Sequence, residues 1–108
     1  MHVMRFADAH PIEVAEHFGM VALPLDGIEN AAGRMRYAVS HYLPGGGACQ
    51  AVSPCERLYF MLAGELTVLT DSGEVTLGVH DNCWIAPGEM RAIENRTSAP
   101  ATMLVVFA

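Results

Sequence analysis

From residue 35 onward the chain consists of short runs of β-branched and aromatic residues, separated by Gly, Pro, Asp and Asn. This pattern is typical of an all-β sandwich or barrel, because such side chains suit strands and the separating residues suit tight turns. The Asp71-Ser72-Gly73 step predicts a hairpin turn, since Gly supplies a positive φ. The pattern predicts seven strands, near residues 35–43, 57–62, 65–70, 74–79, 83–86, 91–95 and 101–107.

The N-terminal third lacks this pattern. Residues 11–18 predict either one or two helical turns, with Pro11 at the first helical position and Gly19 as the stop, or an edge strand. The run at 44–47 predicts a flexible corner. A chain of 108 residues is long enough for one hydrophobic core. We therefore expect one domain, in which residues 1–34 form an arm or flap that packs on a barrel of residues 35–108.

Composition excludes some classes of function. Twelve acidic and six basic residues give a net charge of −6, so we expect no nucleic-acid and no membrane partner. All six basic residues are arginine, and without lysine a side-chain Schiff base is excluded. Three cysteines are an odd number, and the first ten residues lack an apolar core of signal-peptide length. We therefore expect reduced thiols and a cytoplasmic location.

Two segments have the spacing of a known metal-binding barrel. Residues 44–64 resemble the first motif of the cupin superfamily, which is a Gly, five residues, His-x-His, three or four residues, Glu, six residues and Gly. Residues 80–95 resemble its second motif, in which Pro-x-Gly is followed by His and Asn. The residues that shape the backbone are present: Pro44, Gly45, Pro54, Gly64, Asp81, Gly88 and Asn95. The resemblance implies a single-domain jelly-roll β-barrel of the cupin type.

The same alignment to the two motifs shows that the metal ligands of cupins are missing. The four positions that bind a divalent metal in cupins carry Ala51, Ser53, Arg57 and Arg91, and the alternative register of the first motif gives Gln50 and Val52. Alanine has no donor atom, and guanidinium stays protonated and repels cations. We therefore expect no metal and no cofactor at these positions.

Two of these positions carry arginine. Strand alternation places Arg57, Tyr59 and Met61 on one face, and the resemblance implies that this face and Arg91 look into the barrel. Guanidinium binds a carboxylate through two parallel hydrogen bonds, so we predict a small carboxylate-bearing, possibly aromatic, ligand between Arg57 and Arg91. The alternative is that each arginine pairs with an internal acid: Glu56, Glu65, Asp81 or Glu89.

The remaining candidates are weaker. The ligand-binding set is completed by Ser53, Tyr59, Met61 and Trp84, with Met61 and Met90 keeping the lining apolar. His41 and Tyr59 are the candidates for proton transfer, although alternation does not decide which face of the strand with His41 looks inward. The other histidines, His2, His10, His17 and His80, are expected on the surface. A displaced metal site is the alternative for His41, His80, Cys49 and Cys55.

Three functions are consistent with these residues. The first is a metal-independent cupin that binds a small organic acid. The second is a metal-free isomerase, cyclase or lyase in which His41 or Tyr59 moves a proton, so the sequence leaves open whether the protein is an enzyme. The third is a structural or partner-binding domain with a filled barrel. A homodimer is expected in each case, because the apolar N-terminal third can cover a sheet edge.

Overall fold

The computed structural model describes residues 1–26 and 35–108, and this part of the chain is built almost entirely of strands. A short 3-10 helix occupies Phe6–Asp8. The strands are β1 (His17–Pro24), β2 (Arg36–Val52), β3 (Arg57–Ala63), β4 (Leu66–Thr70), β5 (Gly73–Leu77), β6 (Asn82–Ile85), β7 (Met90–Glu94) and β8 (Ala101–Phe107). The seven predicted strands are present, and apart from the C-terminal end of β2 their ends shift by at most two residues.

The strands form one antiparallel sheet that curls into a nearly closed barrel. The strand order is β5-β4-β7-β2-β8-β3-β6, and β1 pairs with β2 outside this path. The all-β, jelly-roll prediction is confirmed. The predicted boundary after residue 34 falls at the end of 27–34, a segment that lies outside the described residues.

Strand β2 is much longer than predicted, because it turns the corner between two strand neighbours. Its residues 36–42 pair with β8, and its residues 47–52 pair with β7. The predicted flexible corner at 44–47 is therefore wrong, since these residues are part of β2. Gly47 is needed at this bend, because a Cβ atom there would lie 2.2 Å from the carbonyl oxygen of Ile93. The absence of a side chain lets the two strands approach closely.

Residues 11–26 make β structure and no α-helix. The helical alternative for residues 11–18 is wrong: Ile12 forms a single bridge with Ala22, and the chain turns at residues 15–16 before β1 begins. Glu16 has a φ of 59°, which lies outside the range of a right-handed helix. β1 then runs antiparallel to β2, with His17 opposite Ala48 and Pro24 opposite Ala38.

The hydrophobic core lies between the two halves of the sheet. Its largest fully buried side chains come from the inward faces of β2, β3, β4, β7 and β8 and from the end of β6: Tyr42, Tyr59, Met61, Leu66, Val68, Ile85, Ile93 and Met103. These side chains close one end of the barrel and leave a cavity towards β1. Within residues 1–26 and 35–108, we find no helix with the length and apolar character that crossing a membrane requires.

Candidate functional site

The inward side chains of five strands enclose a cavity of about 240 Å³ in the barrel. Along most of each strand every second side chain faces the cavity, since successive side chains point to opposite faces. Apolar atoms make up more of the cavity wall than polar atoms do. The side chains that line it include Met20, Ser40, Tyr42, Arg57, Tyr59, Arg91, Ile93, Met103, Phe107 and His17.

Arg91 places a guanidinium inside this cavity. The residue is only 7% exposed, and β7 holds it opposite Ala51 of β2. Its Nε donates a hydrogen bond to the hydroxyl of Tyr59 at 2.9 Å, and its Nη1 donates to the carbonyl of Cys49 at 3.1 Å. Both acceptors are neutral, so the charge of Arg91 is solvated by dipoles and not by a carboxylate.

Arg57 enters the same cavity from β3 and is half-buried. Its Nε donates to the hydroxyl of Ser53 at 2.9 Å, and that hydroxyl donates to the carbonyl of Cys55 at 2.6 Å. The guanidinium carbon lies 5.0 Å from the centre of the Phe107 ring, which is a cation–π distance. These contacts orient Arg57 without neutralising its charge.

The internal ion pairs considered above do not form in the described part of the chain. The ion pairs found there join Arg36 to Asp26, and Arg96 to Glu74 and Glu94. Three of the four acids proposed as partners make other contacts: Glu56 accepts from the Trp84 indole, Asp81 from the Gly78 amide, and Glu89 from the Ala86 amide. Arg57 and Arg91 therefore face the cavity without a carboxylate from residues 1–26 or 35–108.

Neutral hydroxyl groups surround the two arginines. Burial raises the pKa of Tyr42 and of Tyr59, and in Tyr59 the neighbouring Arg91 partly opposes that rise. Both phenols are therefore protonated at neutral pH. The hydroxyls of Tyr42 and Ser40 have no hydrogen-bond partner among the described residues. Within those residues every side-chain N or O atom that is closed off from solvent has a partner, so these two hydroxyls must be accessible from the cavity. These hydroxyls are therefore open to a guest in the cavity.

His17 is half-buried: it reaches the surface, as predicted, but it also lines the cavity, which was not predicted. The cause is a β-bulge: the pairing of β1 with β2 shifts between Phe18 and Met20, where Gly19 has a φ of 57°. Gly19 lies opposite four residues of β2, 43–46, and such an irregularity changes which side chains of a strand share a face. His17 and Met20 consequently line the same cavity, although strict alternation would separate them. The available signal was Gly19 itself, which lies between two apolar residues directly after the predicted segment 11–18.

The structure does not bring every predicted residue to the cavity. His41 lies on the other face of β2, where it contacts Thr102 Oγ1 at 2.9 Å and the edge of the Phe6 ring. Trp84 is 59% exposed on the outside of the barrel. Met61 is fully buried in the core beyond the cavity, and Ser53 supports Arg57.

The positions that match the cupin metal ligands do not fit a metal. Ala51 lies opposite Arg91 in the sheet, and Arg57 is hydrogen-bonded to Ser53, so two guanidinium groups occupy the region where donor atoms would be needed. Across residues 1–26 and 35–108, no three His, Cys, Asp or Glu side chains are grouped closely enough to hold an ion. His41, His80, Cys49 and Cys55 therefore do not gather into the displaced site considered above.

Comparison with known proteins agrees with the fold. No sequence-family model matches the chain. The chain is 37% identical over 111 residues to a protein of Mycobacterium tuberculosis named Beta-D-galactosidase Rv1717, and the match covers all of this chain and 94% of that protein. An identity of this size over nearly the full length of both proteins indicates a common family.

Solved structures of low sequence identity share the same barrel. The polyketide cyclase RemF of Streptomyces resistomycificus has a TM-score of 0.87 at 18% identity, covering 99% of this chain and 78% of that one. A predicted oxalate decarboxylase of Thermotoga maritima has a TM-score of 0.84 at 21% identity, covering 98% and 97%. An RmlC-like cupin of Shewanella frigidimarina has a TM-score of 0.79 at 12% identity, covering 99% and 89%. The chain therefore has the cupin fold, and it belongs to the same family as the mycobacterial protein.

Proposed function

We propose that this cupin binds a small organic carboxylate inside the barrel, with Arg57 and Arg91 as its anion receptor. The observation that carries the proposal is the burial of Arg91 without a carboxylate partner in the described part of the chain. Taking a charged group out of water costs several kcal/mol, and good hydrogen bonds to dipoles recover only part of that cost. A bound anion between the two arginines would recover the rest.

The free donors of the two guanidinium groups suit this guest. Arg57 uses its Nε within the protein, and Arg91 uses its Nε and Nη1. The Nη atoms of Arg57 and Nη2 of Arg91 have no acceptor among the described residues. Terminal guanidinium nitrogens form two parallel hydrogen bonds with a carboxylate, and each hydrogen bond to a charged group contributes about 1.5–3 kcal/mol.

The other side chains that line the cavity limit the size and polarity of the rest of the ligand. Met20, Ile93, Met103 and Phe107 provide apolar walls, while Ser40 and Tyr42 add hydroxyls at one side. A cavity of about 240 Å³ lies below the range of about 300–1,000 Å³ that is usual for drug-sized ligands. We therefore expect a compact acid with an apolar or aromatic body. The open cavity argues against the filled barrel of a purely structural domain.

The test is a comparison of matched acids and amides. Benzoate and phenylacetate are titrated calorimetrically into the wild-type protein beside benzamide and phenylacetamide, which keep the shape and remove the charge. We expect binding of acids and not of amides, with affinity lost in Arg57→Met and Arg91→Met and retained in Arg96→Met. Arg96 is a suitable control, because it is an exposed arginine that pairs with two surface carboxylates. Equal binding of acids and amides would contradict the proposal.

The mycobacterial relative favours a second candidate function, the hydrolysis of a β-galactoside. Most glycoside hydrolases use two carboxyl groups on either side of the scissile bond, about 5–9.5 Å apart. No Asp or Glu of residues 1–26 or 35–108 is among the side chains that line this cavity. Release of nitrophenol from a chromogenic β-galactoside distinguishes the two functions. Turnover of that neutral substrate, unchanged in Arg91→Met, would favour hydrolysis over carboxylate binding.

A further inference from the structure

His17 is the one imidazole among the described residues that line the barrel cavity, and its tautomer is fixed by the backbone. Nδ1 lies 2.8 Å from the carbonyl oxygen of Ala15. A carbonyl oxygen can only accept a hydrogen bond, so Nδ1 of the neutral ring carries the proton. Nε2 then has the lone pair, which makes it the basic atom of the ring.

The backbone around His17 is held in place. The amide of His17 donates to the carbonyl of Val14 at 3.2 Å, and the carbonyl of Glu16 accepts from the amide of Cys49 at 2.8 Å. Glu16 adopts a φ of 59°, a conformation that is uncommon for a residue with a side chain and that needs support from its surroundings. The turn and the bulge at Gly19 together place the ring at the cavity.

His17 also connects the cavity to the outside. It lines both the barrel cavity and a surface depression that residues 11–14 and 17–21 form. The ring is half-buried. A base in this position can take a proton from a molecule in the cavity and release it to solvent, which a fully buried histidine could not do readily.

The charges around His17 keep it neutral and ready to accept a proton. Burial lowers its pKa from the ordinary value of 6.5, the hydrogen bond to Ala15 opposes this, and the positive charges of Arg91 and Arg57 lower it further. Glu16 on the same turn acts weakly in the opposite direction. An anion bound to the two arginines would screen their charge and make Nε2 more basic at the moment when a ligand is present.

From this arrangement we infer that His17 is a catalytic base, and that the barrel interconverts the keto and enol forms of small 2-oxo acids. The inference rests on the proposed function, because the arginines must hold the carboxylate of the substrate. Tyr59 completes the arrangement. Its oxygen already accepts from Arg91 Nε, so its own hydrogen is free to be donated to a ketone oxygen.

The reaction is balanced without an oxidant or a co-substrate. Nε2 of His17 takes a proton from C3 of the 2-oxo acid, and the electrons of that C–H bond form the C2–C3 double bond. The π electrons of the ketone move to its oxygen, which takes the proton of Tyr59 and leaves the enol. The phenolate next to Arg91 regains a proton from solvent or from His17, and the reverse steps return the keto form.

The experiment follows the exchange of C3 protons of pyruvate and 2-oxobutanoate for deuterium by NMR in D2O, with binding measured separately by calorimetry. We expect wild-type protein to accelerate exchange over buffer. His17→Gln should lose about 100-fold or more of that acceleration while it still binds the acid. His80→Gln is the matched control, because His80 is an exposed histidine outside the cavity, and it should exchange like wild type.

The pH profile provides a second readout that a merely structural role of His17 would not move. The rate should rise with pH through the pKa of His17 and level off above it, and this step should be absent in His17→Gln. A wild-type protein that binds these acids without accelerating exchange would overturn the inference and leave the proposed function intact, as would exchange by His17→Gln at the wild-type rate. Failure of every carboxylate to bind would overturn both.

Discussion

The change Arg91→Met distinguishes an arginine that forms an internal ion pair from one that is left to bind an anionic ligand. If Arg91 were half of an internal ion pair, its removal would strand a buried carboxylate and cost about 3–5 kcal/mol. In the structure its partners are the Tyr59 hydroxyl and the Cys49 carbonyl. Loss of these two hydrogen bonds costs about 1.5–3 kcal/mol each, whereas removal of the buried charge recovers several kcal/mol. We therefore expect the free energy of unfolding of the ligand-free protein to change by less than about 1 kcal/mol.

Urea unfolding followed by circular dichroism measures this change directly. For a domain of this size 1 kcal/mol corresponds to about 4–8 °C in melting temperature, so an ion-pair loss would lower it by more than about 12 °C. A carboxylate at a hundredfold excess over its Kd should stabilise wild type by about 2.7 kcal/mol and leave Arg91→Met unaffected. Arg96→Met, which removes an exposed arginine, should retain this ligand effect. A loss of 3 kcal/mol or more in ligand-free Arg91→Met would refute the reasoning.

Three further predictions concern other parts of the chain. The pKa of His17 is lowered in the folded state, so the unfolded chain binds the proton at a higher pH and the free energy of unfolding should fall as the pH drops below 6.5. Urea unfolding of His17→Gln should show a smaller fall with pH. An equal fall in the variant would contradict this. Gly47→Ala should destabilise the protein by at least about 1–3 kcal/mol, because the added methyl group would lie 2.2 Å from the carbonyl oxygen of Ile93. Gly78→Ala is the control: its methyl group would lie an ordinary 3.6 Å from the nearest atom, so it should cost less in the same urea unfolding assay. Burial raises the pKa of the Cys83 thiol to about 11, so mass spectrometry should find exposed Cys49 alkylated well before Cys83, and the reverse order would contradict this.

Much of the fold could be predicted from local patterns. The strand segments follow from β-branched runs between turn residues, and the cupin spacing relates the two motif regions to each other. The corner at 44–47 was mispredicted, because three consecutive glycines are typical of a flexible loop. In the structure glycine is required there for close packing, since backbone from another strand occupies the space of a side chain at Gly47. The homodimer stays a prediction, which light scattering can check.

The sequence predicted the positions of some candidate residues relative to the cavity, whereas ligand binding by them stays a prediction. Arg57, Tyr59 and Arg91 line the cavity as expected, because alternation along β3 and the motif register place them on inward faces. His41 and Trp84 lie on outer faces. Alternation fixes which residues of a strand share a face, but it does not fix which face looks inward when both carry apolar residues.

The sequence by itself determined the all-β class, the cupin-like spacing, and the replacement of metal donors by two arginines, because each of these depends on residue types at fixed separations along the chain. Only the tertiary structure decided that the arginines lack a carboxylate partner within the described residues, and that His17 joins them. Contacts between distant strands depend on register, and the pairing of β1 with β2 shifts by three residues at Gly19. That irregularity brings His17 to the cavity that Arg57 and Arg91 also line.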